Sequence, residues 1–278
     1  MNGSSTVGAY GYRLDPDLFG RRYLHGPADD WPALRIEVHP DGEAPGPVPV
    51  GWRDALAGPG WAVRVAAGGT AVSWTGPWAP HDPDALVHPL LSVMVCAATL
   101  ERGGDCFHAG AVLTPDGLVA VLAGSGGGKT STLAWLATRR GLDVFTDDHL
   151  NVHDGVAHAG PRCLDLRPAA ATGLGLVGRS RPVRLAGRRR LELGPPAVLR
   201  APVVRTVVLE WAPAPAAVRV VAVPPRDRLA ILATHRTAQA DPGDLTVPLA
   251  LAALPMVRLV RPRTFDCMDE VARVVLEG

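Results

Sequence analysis

One stretch constrains this chain more than any other: Ala123-Gly124-Ser125-Gly126-Gly127-Gly128-Lys129-Thr130, set between the apolar run 118–123 and a helically spaced segment at 130–140. It matches GxxxxGK[ST] at every defined position except the first, where the small Ala123 still permits the turn. Glycines in such a stretch let consecutive backbone N–H groups converge on a phosphate, the lysine reaches the outer phosphates, and the hydroxyl after it reaches Mg²⁺. The following helix directs its N-terminus, the positive end of its dipole, at the same anion. Gly124, Ser125, Gly126, Gly127, Gly128, Lys129, Thr130 and Ser131 are therefore the candidate nucleotide-binding residues. Lys129 carries extra weight: of 28 basic residues it is the one lysine, and a compact ammonium fits a narrow backbone nest that a planar guanidinium does not.

The flanking pattern predicts an α/β chain. Residues 106–113 read as a strand containing His108, Pro115-Asp116-Gly117 as a turn, and 118–123 as a strand buried on both faces. The helix 130–140 turns Leu133, Leu136 and Ala137 inward and stops at Gly141; the strand 142–146 then ends in Asp147-Asp148. Residues at that end of a parallel strand face the ligand crevice. Neighbours on a strand point to opposite faces, so one carboxylate is expected to hold Mg²⁺ and the other to meet a nucleophile.

Residues 1–104 read as a β-rich N-terminal unit ending in a helix, and 105–278 as the nucleotide-binding core. In the first, 34–38 alternates like a strand, while 61–65 and 71–74 flank Gly68-Gly69 as a hairpin. Asp82 or Asp84 is placed to cap a helix running to about Arg102. Trp31, Trp52, Trp61, Trp74 and Trp78 are expected to cluster in a core. Downstream, 149–153 and 155–159 suggest a hairpin about Asp154-Gly155. Residues 160–202, rich in Pro, Gly and Arg, read as irregular. Strands are expected at 203–211, 218–223 and 256–260, and helices at 227–238, 244–254 and 265–276.

Composition removes several function classes. The net charge is +1, so no global field points to a nucleic acid or a membrane. It divides unevenly: residues 1–161 hold ten basic and seventeen acidic side chains, and 162–278 hold eighteen and ten. Ten arginines between Arg162 and Arg205 face only Asp165 and Glu192, which reads either as a solvated basic face or as a receiver of phosphate or an acidic partner. Interleaved aromatics for stacking nucleic-acid bases are missing there. Cys96, Cys106, Cys163 and Cys267 have neither CxxC nor zinc spacing and are expected to be reduced thiols of a cytoplasmic protein. The N-terminus has no signal-peptide pattern. The most apolar segment, 85–100, is sixteen residues long and interrupted by His88 and Pro89, short of the roughly 20 that span a bilayer. His149, His153 and His158 have ligand-like spacing only on a helix, and this stretch reads as a hairpin.

The stretch FHAGAVLTPDGLVAVLAGSGGGKTSTLAWLATRRGLDVFTDD, residues 107–148, resembles the HPr kinase/phosphorylase family, above all its small relatives that phosphorylate lasso-peptide precursors. The order of histidine, hairpin, glycine loop, helix and paired aspartates is the same. The resemblance implies an HPr-kinase-type P-loop core, with ATP and Mg²⁺ used to phosphorylate a serine hydroxyl of a peptide or small protein. It implies Asp147 as catalytic base, Asp148 as second acid and metal ligand, Lys129 as phosphate ligand, Thr130 as Mg²⁺ hydroxyl, and His108 as the histidine before the loop. Ser131 stands where the bifunctional enzymes carry Glu, and their arginine-and-glycine signature is not recognisable in LDLRPAAATGLGL. Phosphorolysis, and HPr as substrate, are therefore outside the expectation. A leader peptide would be recognised by this chain or by a separate partner protein, and a homo-oligomer is compatible with the pattern. Arg188, Arg189, Arg190 or Arg205 are candidates to supply a guanidinium to the reaction or to grip an acidic peptide. A small-molecule hydroxyl kinase and a nucleotide-binding regulator or ATPase are the competing readings.

Overall fold

The computed structural model describes residues 6–19, 21–39, 48–58, 60–76, 86–183, 187–213, 217–237 and 244–277. The N-terminal part contains β1 (Val7–Ala9), β2 (Tyr12–Leu14), α1 (Pro16–Phe19), β3 (Arg35–His39), β4 (Trp52–Gly58), β5 (Trp61–Ala66), β6 (Ala71–Thr75) and α2 (Leu91–Glu101). Strands β3 to β6 form one sheet in the order β3-β6-β5-β4, in which β5 and β6 make the expected antiparallel hairpin. Val63, Val65, Val72 and Trp74 of this sheet share a core with Leu91, Met94 and Val95 of α2. Asp82, Asp84 and Trp78 lie outside the described residues. The helix begins at Leu91, after a wide turn over Leu86–Leu90 in which His88 is extended (φ −152, ψ 125). Trp31 and Trp74 are buried, and Trp61 stacks on Trp74 with ring centroids 5.2 Å apart; Trp31 sits elsewhere, between His25 and His158.

The chain continues through β7 (Asp105–Phe107), β8 (Ala109–Thr114), β9 (Gly117–Ala123), α3 (Lys129–Arg140) and β10 (Val144–Thr146). The strand expected at 106–113 is broken at His108: β7 joins one sheet and β8 another. Next come β11 (Leu150–His153), β12 (Val156–His158), β13 (Cys163–Leu166), α4 (Pro168–Gly173), β14 (Ser180–Pro182), β15 (Arg189–Glu192), β16 (Arg200–Ala201) and β17 (Val203–Trp211). The chain closes with β18 (Arg219–Ala222), α5 (Pro225–His235), α6 (Thr246–Ala253), β19 (Met256–Arg261) and α7 (Met268–Glu277). Residues 160–202 are therefore not irregular. Their strands are only two to four residues long, and β13, β15 and β14 pair into an antiparallel sheet of their own.

A six-stranded sheet, ordered β10-β8-β9-β17-β19-β18, carries the centre of the molecule. Strands β9, β17 and β19 run parallel, and β8 is antiparallel to β9 and to β10, so β10 points the same way as β9. All seven residues of β9 are buried, and they alternate between two cores as strand geometry requires. Val119, Val121 and Ala123 meet Leu133 and Leu136 of α3 and Val271 and Val275 of α7. Leu118, Ala120 and Leu122 meet Leu232 of α5 and Leu251 of α6. Helices thus cover both faces, the arrangement a parallel sheet needs. Gly110 lets α3 lie close on β8, because a Cβ there would stand 2.4 Å from Leu133 Cδ1. A second sheet, β16-β12-β11-β7, contains the expected hairpin: His153 pairs with Val156 across Asp154 (φ 50) and Gly155 (φ 77). Among the described residues no helix is long and apolar enough to cross a membrane.

Candidate active site

Strands β9, β10, β17 and β19 all end at one edge of the central sheet, the edge at which parallel sheets collect ligands. From β9 the chain enters the glycine loop, residues 124–128, and turns directly into α3. Gly126 (φ 72) and Gly128 (φ 84) are left-handed, a backbone that side chains resist. Space forbids one as well: a Cβ on Gly128 would lie 2.5 Å from Arg261 Nη2 and 2.9 Å from the Trp211 ring. Those residues, at the ends of β19 and β17, hold the loop from outside. Trp211 Nε1 donates to Gly126 O (3.1 Å), Arg261 Nη2 donates to Gly128 O (3.4 Å) and Thr132 Oγ1 (3.0 Å), and the guanidinium of Arg261 stacks 4.5 Å from the Trp211 ring centroid. The loop lines a cleft of about 210 Å³ with Lys129, Thr130, Ser131, His108 and Asp148.

Asp147 and Asp148 follow β10, but not as a continuing strand. Thr146 Oγ1 donates to His149 O (2.7 Å), and His149 N–H donates to Asp147 O (2.8 Å). This closes a three-residue turn with Asp148 at φ 63 in its centre, a strained conformation for a non-glycine residue. The expectation that the two carboxylates face opposite ways is corrected by this turn: both approach the same ammonium. Lys129 Nζ is 2.8 Å from Asp148 Oδ1 and 3.8 Å from Asp147 Oδ1. His88, from the turn before α2, donates from Nε2 to Asp148 Oδ2 at 2.7 Å.

These partners drive the two acids apart. Burial, then the charge of Asp148, raises Asp147 to about 6 against the opposing pull of Lys129, His88 and the nearby Thr130 hydroxyl, which does not reach full hydrogen-bond geometry. Both oxygens of Asp147 are buried without a hydrogen-bond partner. Burial would raise Asp148 too, but the His88 hydrogen bond and charge together with Lys129 hold it well below the usual carboxylate range. For His88, burial favours the neutral ring, and Asp148 more than reverses that. Burial, aided by Lys129, lowers His108, which is half-buried beside the cleft with its ring 6.3 Å from that of His149. His149 is fully buried and pushed down to about 3, chiefly by burial, and is neutral.

The arginines divide differently from expectation. Arg190 is buried in a two-pronged pair with Asp165 (2.7 Å at both Nε and Nη2), and Arg189 is spent on Ser180 Oγ and the Val177 carbonyl. Arg205 lies at the opposite end of the sheet, in register with Val119 and donating to Val275 O. Only Arg188 of these lines the cleft, donating to Asp165 O at 3.1 Å. Arg167 joins it: a Cβ on Gly126 would stand 3.7 Å from Arg167 Nη2. Sequence reasoning misses His88 and Arg167. In the sequence His88 counts only as a break in an apolar run, although a lone imidazole there needs a polar partner; Arg167 is hidden in LDLRPAAATGLGL, whose first residues are β13. His149, His153 and His158 do not converge: His153 bonds Arg102 O (3.0 Å) and His158 lies by Trp31.

No protein-family model matches the sequence, and no curated protein matches it. Among solved structures, the HPr(Ser) kinase/phosphatase from Coxiella burnetii aligns over 62% of this chain and 99% of its own, at 10% identity and a TM-score of 0.28.

Proposed function

We propose that this chain is an ATP-dependent kinase that transfers the γ-phosphoryl group to a hydroxyl, the serine hydroxyl of a peptide or small protein, with a ribosomally made precursor peptide as the substrate class. The observation that carries the reading is the placement of Lys129 at the mouth of a glycine loop between two carboxylates of opposite character, Asp148 lining the cleft and Asp147 buried beside it.

The residues present fit the groups such a reaction needs. Gly126 and Gly128 are backbone cradles that a Cβ would strain or fill, and the helix N-terminus of α3 lies behind them. A hydroxyl at Thr130 and an ionised carboxylate at Asp148 are hard oxygen donors suited to Mg²⁺. When bound, that ion would neutralise charge developing on the transferred phosphoryl group. Lys129 is the counter-ion of both acids; a phosphate at the loop offers it a third anion, and its move toward that anion frees Asp148 Oδ1. Asp147, with unpartnered oxygens and a raised affinity for protons, is suited to take the serine hydroxyl proton as the oxygen attacks the γ-phosphorus and the β–γ bridge bond breaks. Arg167 and Arg188 border the same space and are suited to grip phosphate oxygens.

The test is ATP consumption by the purified chain with Mg²⁺, with and without a candidate precursor peptide, read by intact mass, with Asp147→Asn alongside. One added phosphoryl group on the peptide, lost in the variant, is the expected result. ATP loss with unmodified peptide would replace the peptide substrate with a small molecule or water, and no ATP binding would remove the kinase reading altogether.

A further inference from the structure

The hairpin of β1 and β2 turns on two residues, Tyr10 and Gly11, because Ala9 pairs with Tyr12. Both are left-handed (φ 57 and 88), the backbone of a tight hairpin turn in which Asn, Asp or Gly takes the first place. A tyrosine there is strained. Connecting turns also run over the surface as a rule, and this one does not: Tyr10 is 2% exposed. A bulky side chain held in an unfavourable conformation inside the molecule points to a task beyond the turn itself.

The task is legible in what surrounds the side chain. Tyr10 Oη lies 3.0 Å from Ser92 Oγ, in the first turn of α2. Burial raises the phenol's hold on its proton, the Ser92 and Thr146 hydroxyls oppose this, and the charge of Asp148 adds to it, so the group is a neutral O–H set between two elements. The backbone is pinned beside it. Tyr10 N–H donates to Ala159 O (2.6 Å), and the residue after Ala159, Gly160, donates from its N–H to Phe145 O (3.0 Å). Gly160 has room for no side chain, since a Cβ would collide with Thr146 Oγ1 and stand 2.9 Å from Tyr10 Cε1.

Those two elements carry the two halves of one ion pair. Ser92 closely follows His88, which sits in the turn leading into α2. Thr146 opens the turn that holds Asp148, by donating to His149 O (2.7 Å). His88 Nε2 meets Asp148 Oδ2 at 2.7 Å only while the start of α2 and that turn keep their separation. We propose that Tyr10 is a positioning residue of the site: its side chain ties the start of α2 to the Thr146 turn and so fixes His88 against Asp148, the acid suited to Mg²⁺. The kinetic consequence rests on the proposed reaction; the fixing of His88 does not.

Tyr10→Phe keeps the ring and removes the hydroxyl. In the nucleotide-free full chain, ¹⁵N-labelled, the Nε2–H proton of His88, assigned by its loss in His88→Gln, should exchange with water about fivefold faster than in wild type, the effect of one lost hydrogen bond. In ATP turnover kcat should fall by the same factor of about five, while KM for ATP stays at the wild-type value, because Tyr10 touches neither the glycine loop nor Lys129. In the His88→Gln background Tyr10→Phe should cost nothing further in kcat, since both changes act on one acid. Ser92→Ala, which cuts the same bond from the other side, should reproduce the faster exchange and the lower kcat. A tyrosine that only filled the core would lower the melting temperature and leave the His88 proton and kcat as they are. That result overturns the proposal, as does a full additional loss of kcat in the His88→Gln background, or a Ser92→Ala variant with unchanged exchange. A wild-type chain that does not turn over ATP would remove the kinase reading, and the proton exchange would then decide this proposal by itself. Should Tyr10→Phe fail to fold, Ser92→Ala decides.

Discussion

Two clusters of buried charge, Asp165–Arg190 and Asp147–Asp148–Lys129, differ in how completely they are satisfied. In the first, both carboxylate oxygens receive guanidinium donors at 2.7 Å, and Arg190 also lies 5.0 Å over the ring of Tyr23. Its charges are matched one to one. In the second, two acids share one ammonium and the imidazole of His88, which reaches only Asp148; one acid stands on a left-handed backbone, and the other has no hydrogen-bond partner for either oxygen. A cluster that only held the fold together would not be left so incomplete, since each unmet buried group is costly. The incompleteness is what makes the second cluster suited to proton and phosphate chemistry, with paired acids whose proton affinities are driven apart.

Substitutions can break that contrast. The largest effect is expected from Asp147→Asn: a loss of about 10³-fold in kcat combined with a gain in stability. The sign follows from burial. Asp147 binds its proton more tightly folded than unfolded, so between its ordinary value near 4 and about 6 its contribution to stability falls as pH rises, and above that it is a standing cost. The variant should therefore melt higher than wild type at pH 8, by up to about 3 kcal/mol, and the difference should shrink as pH is lowered below 6. Wild-type kcat/KM should fall as Asp147 protonates on the same acid limb. A variant that melts lower at pH 8 would mean that Asp147 is structurally satisfied after all.

Lys129→Met should lower turnover by about 10²–10³-fold, the cost of removing one donor from a developing anion, and should abolish nucleotide-induced protection in calorimetry. Arg190→Met should do the reverse, destabilising by about 3–5 kcal/mol because it strands the buried Asp165 carboxylate. The double change with Asp165→Leu should recover most of that stability, measured by chemical denaturation. If Arg190→Met left stability untouched, the contrast between the two clusters would collapse. Smallest is His88→Gln, which keeps a hydrogen bond to Asp148 and removes the charge. About tenfold in kcat is expected, together with an upward shift of the Asp148 titration visible by carboxylate ¹³C NMR.

Much of the nucleotide-loop region is legible in the amino-acid sequence. Residues 118–140 combine a continuous apolar run, a glycine turn and a helix with apolar residues at helical spacing, all local signals. Less legible is the sheet of β13, β14 and β15, whose three- and four-residue strands carry arginines and prolines that read as loop; their pairing depends on partners up to twenty-nine positions apart, as Cys163 with Glu192. The break at His108 is hidden for the same reason, since 106–113 has one continuous strand pattern and only pairing with β11 on one side and β9 on the other divides it.

By itself the sequence determined which residues could bind a phosphate: a glycine turn that only glycines can make, one lysine, a hydroxyl and two adjacent acids. Those are properties of short segments, set by backbone sterics and side-chain chemistry. Tertiary structure alone decided what state each of those groups is in. His88 reaches Asp148 from sixty residues away, the turn at Thr146–His149 swings both carboxylates toward Lys129, and Asp165 claims Arg190 before the cleft can use it. Burial and the distance between charges set a proton's affinity, and both are known only when the chain has closed.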